Sequence, residues 1–290
     1  MMTRTRLTMA VLVALGAAPG AARAQTAWDS VATILRTPAV DANGYTRFNL
    51  PRADLTVRVG DVTVATPLAA GAWVGFAGTP EDAMMMGDLV LVAAEVGPVE
   101  SQLVRDGIEI TAVHNHLIGE TPTLTYVHLH AHGAAATIAT KLARAVALTA
   151  TPLPVAAGPP PPLTIDTLRV SRAMRVRGRA RGAVMQFSAV KVTDSVTVDG
   201  RALVPALAYA TPINIQQVSP TRFLAAGDFA LTAGGVQPVL QSLVLEGFTI
   251  TAVHSHLVGE SPTVTYIHFW ADDTPEHVLG ALRAAMQVAR

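Results

Sequence analysis

One segment of the chain occurs twice, and this duplication is the strongest constraint on the fold. Residues 107–133 and 247–273 lie 140 positions apart and share 16 of 27 residues. The similarity extends upstream, where GDLVLVAAEVGPVESQLVRDG in the first copy corresponds to GDFALTAGGVQPVLQSLVLEG in the second. Because a repeated sequence folds into a repeated structural unit, we predict two similar domains in tandem.

The chain between and before the two copies has a different composition. The stretch ATPLPVAAGPPPPLT has no helical or strand periodicity, and its prolines predict a stiff, extended linker. The N-terminus combines a basic start, an apolar run and Ala22-Arg23-Ala24, which is typical of a signal peptide with its cleavage site. The predicted organisation is therefore a signal peptide at residues 1–24, repeat domain 1 at 25–149, the linker at 150–164 and repeat domain 2 at 165–290.

The charge balance and the cysteine content limit which partners the protein is expected to bind and where in the cell it is expected to act. The leader carries three of the 21 basic residues and no acidic one, which leaves 18 basic against 21 acidic residues. This slightly acidic balance argues against a nucleic-acid partner. The chain has no cysteine, so it has neither disulfides nor a lipid-attachment site. We expect an exported protein, periplasmic or secreted and not a lipoprotein. We predict no transmembrane segment, because no later stretch reaches the roughly 18 apolar residues of a bilayer span.

Within each copy, the hydrophobic pattern changes from strand-like to helical. Predicted short strands are TRFNL, LTVRV, VTVAT and AWVGF in the first copy, and QFSAV, SVTV, ALVPAL and PINIQ in the second. A further strand, DLVLV or DFALTA, precedes a short helix, and a second, amphipathic helix closes each copy after a hairpin. The predicted fold class is α+β, with two tandem copies of a mostly antiparallel sheet that carries helices on one face.

The hairpin of the first copy, TAVHNHLIGETPTLTYVHLHAH, holds five of the nine histidines. Side chains alternate across a strand, so the apolar residues are expected to face the helices and the histidines the opposite side. With a turn centred near Pro122, His116 would pair with His128 and His114 with His130. Opposed Cβ atoms would then lie about 5 Å apart, which is close enough for two imidazoles to share one ion.

The second hairpin keeps three of these histidines, and Trp270 and Asp272 replace the other two. Convergent imidazoles without a thiolate predict a divalent metal, zinc or copper first and manganese or iron next. A nucleotide cofactor is not expected, because no phosphate-binding glycine pattern is present. The candidate metal ligands are His114, His116, His128, His130, His254, His256 and His268.

Four further side chains are candidate catalytic groups, although the sequence leaves open whether the protein is an enzyme. In a metal-assisted hydrolase, Glu120 or Glu260 would serve as fourth ligand or general base, and Tyr126 or Tyr266 would orient the substrate. A turn role for the glutamates and a packing role for the tyrosines explain the same residues.

Three other features have simpler explanations. Asp88 and Asp228 follow glycine and are explained by turn geometry, and the methionines 84–86 by core filling. The arginine-rich RVSRAMRVRGRAR predicts a solvated edge strand, with an anionic polymer or lipid headgroup as the alternative partner.

Two other functions fit the same hairpins. The protein could be a metal-free binding module for a cell-envelope glycan or another small molecule, with Trp270 and Tyr266 as stacking surface. The hairpin faces could also form the interface between the two copies, which would bury the histidines and pair them across the repeat boundary.

The order of motifs is similar to that of a known family. The glycine-aspartate strand, the V-x-P-V helix and the H-x-H hairpin, seen in GDLVLVAAEVGPVESQLVRDGIEITAVHNHL and its repeat, resemble the LppY/LpqO family of bacterial exported proteins. This resemblance implies a tandem domain of unknown function and supplies no catalytic residues. Some members are lipoproteins, but this chain lacks the cysteine that lipid attachment requires.

Overall fold

The computed structural model describes residues 27–155 and 162–289. The predicted signal peptide lies outside the described residues, as do residues 156–161 of the predicted linker. On either side of that gap, residues 150–155 and 162–164 form neither helix nor strand.

Repeat 1 is built on a six-stranded antiparallel sheet with the order β1-β2-β5-β6-β9-β7. A smaller sheet, in the order β4-β3-β8, lies beside it. The strands are β1 Ala39–Asp41, β2 Thr46–Asn49, β3 Val57–Val59, β4 Val62–Val64, β5 Trp73–Gly78, β6 Ala83–Val92, β7 Glu109–His114, β8 Glu120–Thr121 and β9 Leu124–Gly133. The helices are α1 Asp29–Leu35, α2 Thr66–Ala69, α3 Ala93–Arg105 and α4 Ala135–Val146.

Repeat 2 has the same architecture, with a sheet in the order β10-β11-β14-β15-β17-β16 and a short β12-β13 pair. Its strands are β10 Arg179–Arg181, β11 Val184–Val190, β12 Thr197–Val198, β13 Arg201–Ala202, β14 Ala210–Ser219, β15 Arg222–Leu231, β16 Thr249–Ser255 and β17 Thr265–Asp273. Its helices are α5 Thr167–Met174, α6 Pro205–Ala208, α7 Ala233–Leu245 and α8 Pro275–Val288. The predicted fold class is confirmed.

Two local predictions differ from the structure. The segment ALVPAL is not a strand throughout, because Pro205 begins the short helix α6; proline is favoured at a first helical position, where its missing N–H is not needed. The arginine-rich segment is also not one strand. Its first part is α5 and Arg175 has a left-handed backbone, while only residues 179–181 form the predicted edge strand β10.

The helices cover the outer face of each sheet, as the alternating pattern predicts. In repeat 1, Val127 and Leu129 of β9 belong to one buried cluster with Val99 of α3 and Leu142 of α4. In repeat 2, residues of β17, α7 and α8 form the equivalent cluster, which includes Phe269, Val239 and Val278. The histidine-bearing faces of both sheets consequently point away from the helices.

These inner faces meet, so the two repeats pack sheet against sheet between the outer helices. A third buried cluster joins Met84 and Met86 of repeat 1 to Leu207, Tyr209 and Tyr266 of repeat 2. The predicted core-filling role of the methionines is confirmed, because Met84 and Met86 pack in this inter-repeat cluster and Met85 packs in the core of repeat 1.

Polar contacts at the rim join the repeats as well. Arg201 donates to Asp82 across 3.1 Å, and Arg222 forms an ion pair with Asp61 at 2.9 Å. The amide of Gln216 donates to the carbonyl of residue 63 and accepts from the backbone N–H of residue 65. Among the described helices, none combines the length and the apolar character needed to cross a membrane.

Candidate functional site

The strand register of the first hairpin differs from the predicted one. His114 lies opposite Tyr126, and Ala112 lies opposite His128. The prediction that His116 pairs with His128 and His114 with His130 is therefore wrong. Its cause is the length of the connection, because His116 lies beyond the end of β7 rather than in the ladder.

The turn is also not centred near Pro122. Residues 115–123 leave the main sheet, and β8 within them pairs with β3 of the smaller sheet. The connection is consequently a long loop and not a tight turn. This loop carries His116 away from its own strand and towards the other repeat.

A β-bulge occurs at the same place in both repeats. Thr111 is the extra residue between the pairs that Ile110 and Ala112 form with β9, and the register of β16 shifts in the same way at Thr251. A bulge increases the local twist and redirects nearby side chains. Beyond the bulge, Glu109 faces His130, whose Nδ1 lies 2.8 Å from the carboxylate.

The hairpins of the two repeats contribute to one group of imidazoles, which we call the histidine cluster: His114, His116, His128, His254, His256 and His268. His114 stacks on His254 with ring centroids 4.2 Å apart. The loop histidine of each repeat reaches the strand histidine of the other, His116 to His268 and His256 to His128, both at 4.2 Å between centroids. The structure thus combines six of the seven predicted ligands at the repeat interface, and His130 instead pairs with Glu109.

Two aspartates belong to this site, and the sequence analysis assigned them incorrectly. Asp88 lies within β6 directly opposite His128, and Asp228 lies within β15 directly opposite His268. The carboxylate of Asp88 contacts Nδ1 of His128, and Oδ1 of Asp228 lies 2.6 Å from Nδ1 of His268. The explanation of both aspartates by turn geometry is therefore wrong.

The glycine before each aspartate has a packing role. A Cβ on Gly87 would lie 2.2 Å from the carbonyl oxygen of Trp73, and one on Gly227 would lie 2.3 Å from the carbonyl oxygen of Pro212. Both contacts are with the backbone of the neighbouring strand. The repeated glycine-aspartate pair thus reflects a close approach of strands followed by the carboxylate that contacts the histidine.

Hydrogen bonds fix which ring nitrogen of several histidines carries the proton. Nδ1 of His254 lies 2.9 Å from the carbonyl oxygen of Ser255, and Nδ1 of His256 lies 2.9 Å from that of Ala208. A carbonyl oxygen only accepts, so Nδ1 must donate, and Nε2 of the neutral ring keeps its lone pair. The carboxylate of Asp228 imposes the same tautomer on His268.

As a result, two lone pairs face each other. Nε2 of His254 lies 2.7 Å from Nε2 of His268. In the neutral tautomers neither nitrogen has a hydrogen to donate to the other. The pair is stable only if a proton or another cation lies between the two rings.

A proton is disfavoured there, because the cluster is buried and its members repel each other when charged. Burial, followed by the charge of His268, lowers the pKa of His116 to about 3. The same causes lower the pKa of His254 to about 4. Burial also lowers the pKa values of His114 and His256 well below the ordinary range. For these four histidines the neutral imidazole, which is the metal-binding form, is therefore the stable one at pH 7.

The aspartates remain ionised. Burial alone would raise the pKa of Asp228, but its interactions with the imidazoles of His268 and His116 outweigh burial and hold the pKa below its usual range. The pKa of Asp88 is lowered in the same way, with burial opposed by His128. An ionised carboxylate on Nδ1 orients an imidazole and increases the basicity of Nε2.

The distances fit a metal ion. Ligand atoms of His114, His128, His254 and His268 all lie within 4.8 Å of one another, and His116, Asp228 and His268 form a second such group. Two nitrogens bound to one ion at about 2.0–2.1 Å are separated by at most about 4.2 Å, so small side-chain movements close the first group. Both ring nitrogens of His114 are buried without a hydrogen-bond partner. A metal ion bound to one of them would provide the missing partner.

The candidate glutamates lie outside the histidine cluster and contact the backbone of the hairpin loops. Glu120 and Glu260 are buried, and each accepts a backbone N–H four residues along the chain, at 2.9 Å from Leu124 and 3.1 Å from Val264. Burial raises the pKa of Glu260. Neither glutamate belongs to the two groups of potential ligands among the described residues, so their visible role is to hold the loop.

The candidate tyrosines lie beside the cluster. Tyr126 stacks on His116 at 3.8 Å, and Tyr266 stacks on His256 at 4.3 Å. The hydroxyl of Tyr266 donates to the carbonyl of Ala208 across 2.7 Å, whereas that of Tyr126 is buried without a partner. Burial raises both pKa values well above 10, so both groups stay protonated and can donate.

A cavity of about 410 Å³ lies between the repeats next to the cluster. Its lining includes the two aspartates, both tyrosines and three histidines of the cluster, His116, His128 and His256. Arg47, Arg181 and several amide side chains line it as well. Trp270, a candidate stacking surface, is only 9% exposed and packs with the core of repeat 1, so it is not available to a glycan.

Comparison with known sequences identifies the family. The profile described as Domain of Unknown Function (DUF1259) matches residues 29–148 and again residues 168–288. The chain belongs to this family and contains two copies of its domain. No protein in the curated comparison matches the chain significantly.

Solved structures show only remote similarity. A double-ringed trimeric shell protein from the RMM microcompartment is 10% identical, with coverage of 72% of this chain and 83% of that protein and a TM-score of 0.20. EtuB from Clostridium kluyveri is 11% identical, with coverage of 87% and 90% and a TM-score of 0.22. Neither similarity is high enough to support a functional argument.

Proposed function

We propose that the protein binds one divalent transition-metal ion in the histidine cluster between its two repeats. The observation that carries this proposal is the pair of Nε2 atoms of His254 and His268, 2.7 Å apart, whose Nδ1 atoms lie 2.9 Å from the carbonyl oxygen of Ser255 and 2.6 Å from the carboxylate of Asp228. Around a tetrahedral ion the same nitrogens would be about 3.3 Å apart. A shift of this size is within the reach of two side chains.

The ligand set is best completed by His114 and His128, which lie within reach of the same point. An all-imidazole set favours zinc or copper over the oxygen-preferring cations. Asp88 and Asp228 would act as outer partners that orient their histidines. The site is thus a single one shared by the repeats, in place of one site in each hairpin.

A role in hydrolysis is the activity that fits such a site best. If three of the four imidazoles were ligands and the fourth position stayed open, a bound zinc ion would lower the pKa of a coordinated water to about 7. The chain's own residues would supply the rest of the site, because the cavity gives access to the cluster and Tyr126 offers a buried hydroxyl without a partner. Glu120 and Glu260, held by backbone N–H groups, are less suited to act as the base.

The protein is also proposed to act outside the cytoplasm, in the periplasm or after secretion. The features that support this proposal are the signal-peptide pattern of residues 1–24 and the resemblance to the exported LppY/LpqO proteins. A metal-free binding module is the second candidate function, and the cavity of about 410 Å³ favours it.

Metal content distinguishes these functions. Tag-free protein purified from its native compartment would be analysed by plasma mass spectrometry, beside His254→Ala, His268→Ala and the control His277→Ala. His277 is exposed and lies outside the cluster, so its removal takes away one histidine and leaves the candidate ligands in place. We expect close to one equivalent of zinc or copper in the parent and the control, and much less in the two cluster variants.

Two results would contradict the proposal. Parent protein without metal, and without a thermal shift on addition of zinc or copper, would leave the histidines as interface packing and direct the search to small ligands. Two equivalents, each lost independently when one hairpin is changed, would mean separate sites in the two repeats.

A further inference from the structure

Two arginines from different repeats line the cavity and lie close to each other. Arg47 lies on β2 and Arg181 on the edge strand β10. Nε of Arg47 donates to Oδ1 of Asn49 across 2.9 Å, and a terminal nitrogen of Arg181 donates to the same oxygen across 3.3 Å. The two guanidinium groups are therefore neighbours across the repeat interface.

Two neighbouring guanidinium groups are normally accompanied by a carboxylate that offsets their repulsion. Here the side chains that accept their hydrogen bonds are neutral amides. Arg181 also donates to the side-chain oxygen of Gln186. Among the described residues, neither arginine forms a salt bridge with a carboxylate. Both are partly buried, and burial, followed by the charge of Arg181, lowers the pKa of Arg47 to about 10.

The arginine at position 47 is also held in a fixed orientation. Its guanidinium lies over the ring of Trp73, 4.0 Å from the ring centroid. Stacking leaves the edge of a guanidinium free to donate hydrogen bonds in its plane. Two oriented guanidinium groups with unused donors and no carboxylate in salt-bridge contact form the arrangement that binds the oxygens of a carboxylate or phosphate.

The strand register connects this arrangement to the histidine cluster. Asn49 lies opposite Trp73, Trp73 opposite Asp88, and Asp88 opposite His128, so the four side chains form one row across the inner face of the sheet. A molecule held by the arginines would extend along this row towards the cluster.

We propose that the cavity binds a small organic anion whose carboxylate or phosphate group contacts Arg47 and Arg181. The cavity volume fits a metabolite-sized molecule and not a polymer. The proposal goes beyond metal binding and does not depend on it, because the arginines are not members of the histidine cluster.

The test is titration calorimetry on the full chain kept free of metal with EDTA, with inorganic phosphate, acetate and glycerol 3-phosphate as probes and glycerol as the neutral control. The phosphate and acetate arms distinguish the two kinds of oxyanion. The variants are Arg47→Gln and Arg181→Gln. The matched control is Arg179→Gln, which removes the same charge from an exposed position of the same strand that does not line the cavity.

We expect at least one anionic probe to bind the parent with a dissociation constant of about 1 mM or tighter. Loss of one charged donor should weaken this binding at least about tenfold, while the control variant stays within a factor of about three, the effect of a more distant screened charge. Thermal melting of each variant would verify that it folds.

Absence of binding by every anionic probe would overturn the proposal, and so would equal weakening by all three variants, since that would indicate a general charge effect. Because the titration is done without metal, a failed metal proposal and a failed anion proposal give different results.

Discussion

Acidification from pH 7 to pH 5 should strongly destabilise the metal-free protein. Four histidines of the cluster, at positions 114, 116, 254 and 256, have lowered pKa values in the folded state. The unfolded chain takes up a proton on each of them as the pH falls below about 6.5, the ordinary histidine pKa. The folded protein does not follow until the pH approaches about 4 for His254 and about 3 for His116. Stability is therefore lost across the window between these values.

The size of the effect follows from proton linkage. A histidine that stays neutral in the folded state loses about 1.9 kcal/mol of stability between pH 7 and pH 5. Four such groups together would lose about 7.5 kcal/mol, which is comparable with the whole stability of an ordinary domain. Paired carboxylates such as Asp88 and Asp228 weaken only when the pH falls to about 4 or lower, so this window isolates the histidines.

Urea unfolding at both pH values, with EDTA present, measures this loss. In the double variant His116→Gln/His256→Gln, two titrating groups are removed, and the loss should shrink to about 4 kcal/mol. The control His277→Gln should keep the full loss. Hydrogen bonds with Asp273 and Glu246 raise the pKa of His277, so it contributes stability below about pH 6.5 that is lost at higher pH, the opposite sign. Equal stability of the parent at pH 5 and pH 7 would refute the neutral state of the cluster.

Four further substitutions test other parts of the structure. Arg52→Met should lower the unfolding free energy by about 3–5 kcal/mol in urea unfolding, because it leaves the buried carboxylate of Glu95, now 2.6 Å from Arg52, without its counter-ion. Gly227→Ala should cost about 1–3 kcal/mol or more in the same assay, since its Cβ meets strand backbone, whereas Gly97→Ala, in open space within a helix, should stabilise by up to about 1 kcal/mol. Asp228→Asn should weaken zinc binding about 10- to 100-fold in a chelator competition, and unchanged affinity would refute its orienting role.

The sequence predicts the repeated α+β unit well because the signals are local and occur twice. Alternation in the strands assigns Val127 and Leu129 to the helix-covered face, and the structure agrees. The register was not predictable, because the extra residue at Thr111 is neither glycine nor proline and gives no bulge signal. The connection that follows β7 was also expected to be short, and a short connection would place His116 within the paired strands.

The two aspartates were misassigned although a signal was present. Glycine followed by aspartate is common in turns, but Asp88 stands in the apolar run MMMGDLVLV. A carboxylate inside a buried strand requires a partner, and the nearest candidates were the histidines of the hairpin. That Asp228 repeats this pattern in the second copy strengthens the same inference. The packing of the two histidine-bearing faces against each other could not be predicted from local sequence patterns, because it depends on how two separate sheets pack.

The cluster and the cavity differ in symmetry, and this difference bears on function. The histidines and aspartates of the cluster come in equivalent pairs, one from each repeat. The cavity walls do not, because Phe48 and Phe187 occupy the same register position and Arg47 therefore corresponds to Gln186. If both proposals hold, duplication supplies a nearly symmetric metal centre, and the later divergence of one wall gives a bound anion a single orientation towards it. Gln186 accepts a hydrogen bond from Arg181, so the exchange Arg47→Gln/Gln186→Arg would place both guanidinium groups on the wall of repeat 2. Titration calorimetry should show that this exchange does not restore the anion binding lost in Arg47→Gln, and full recovery would contradict a single orientation of the anion.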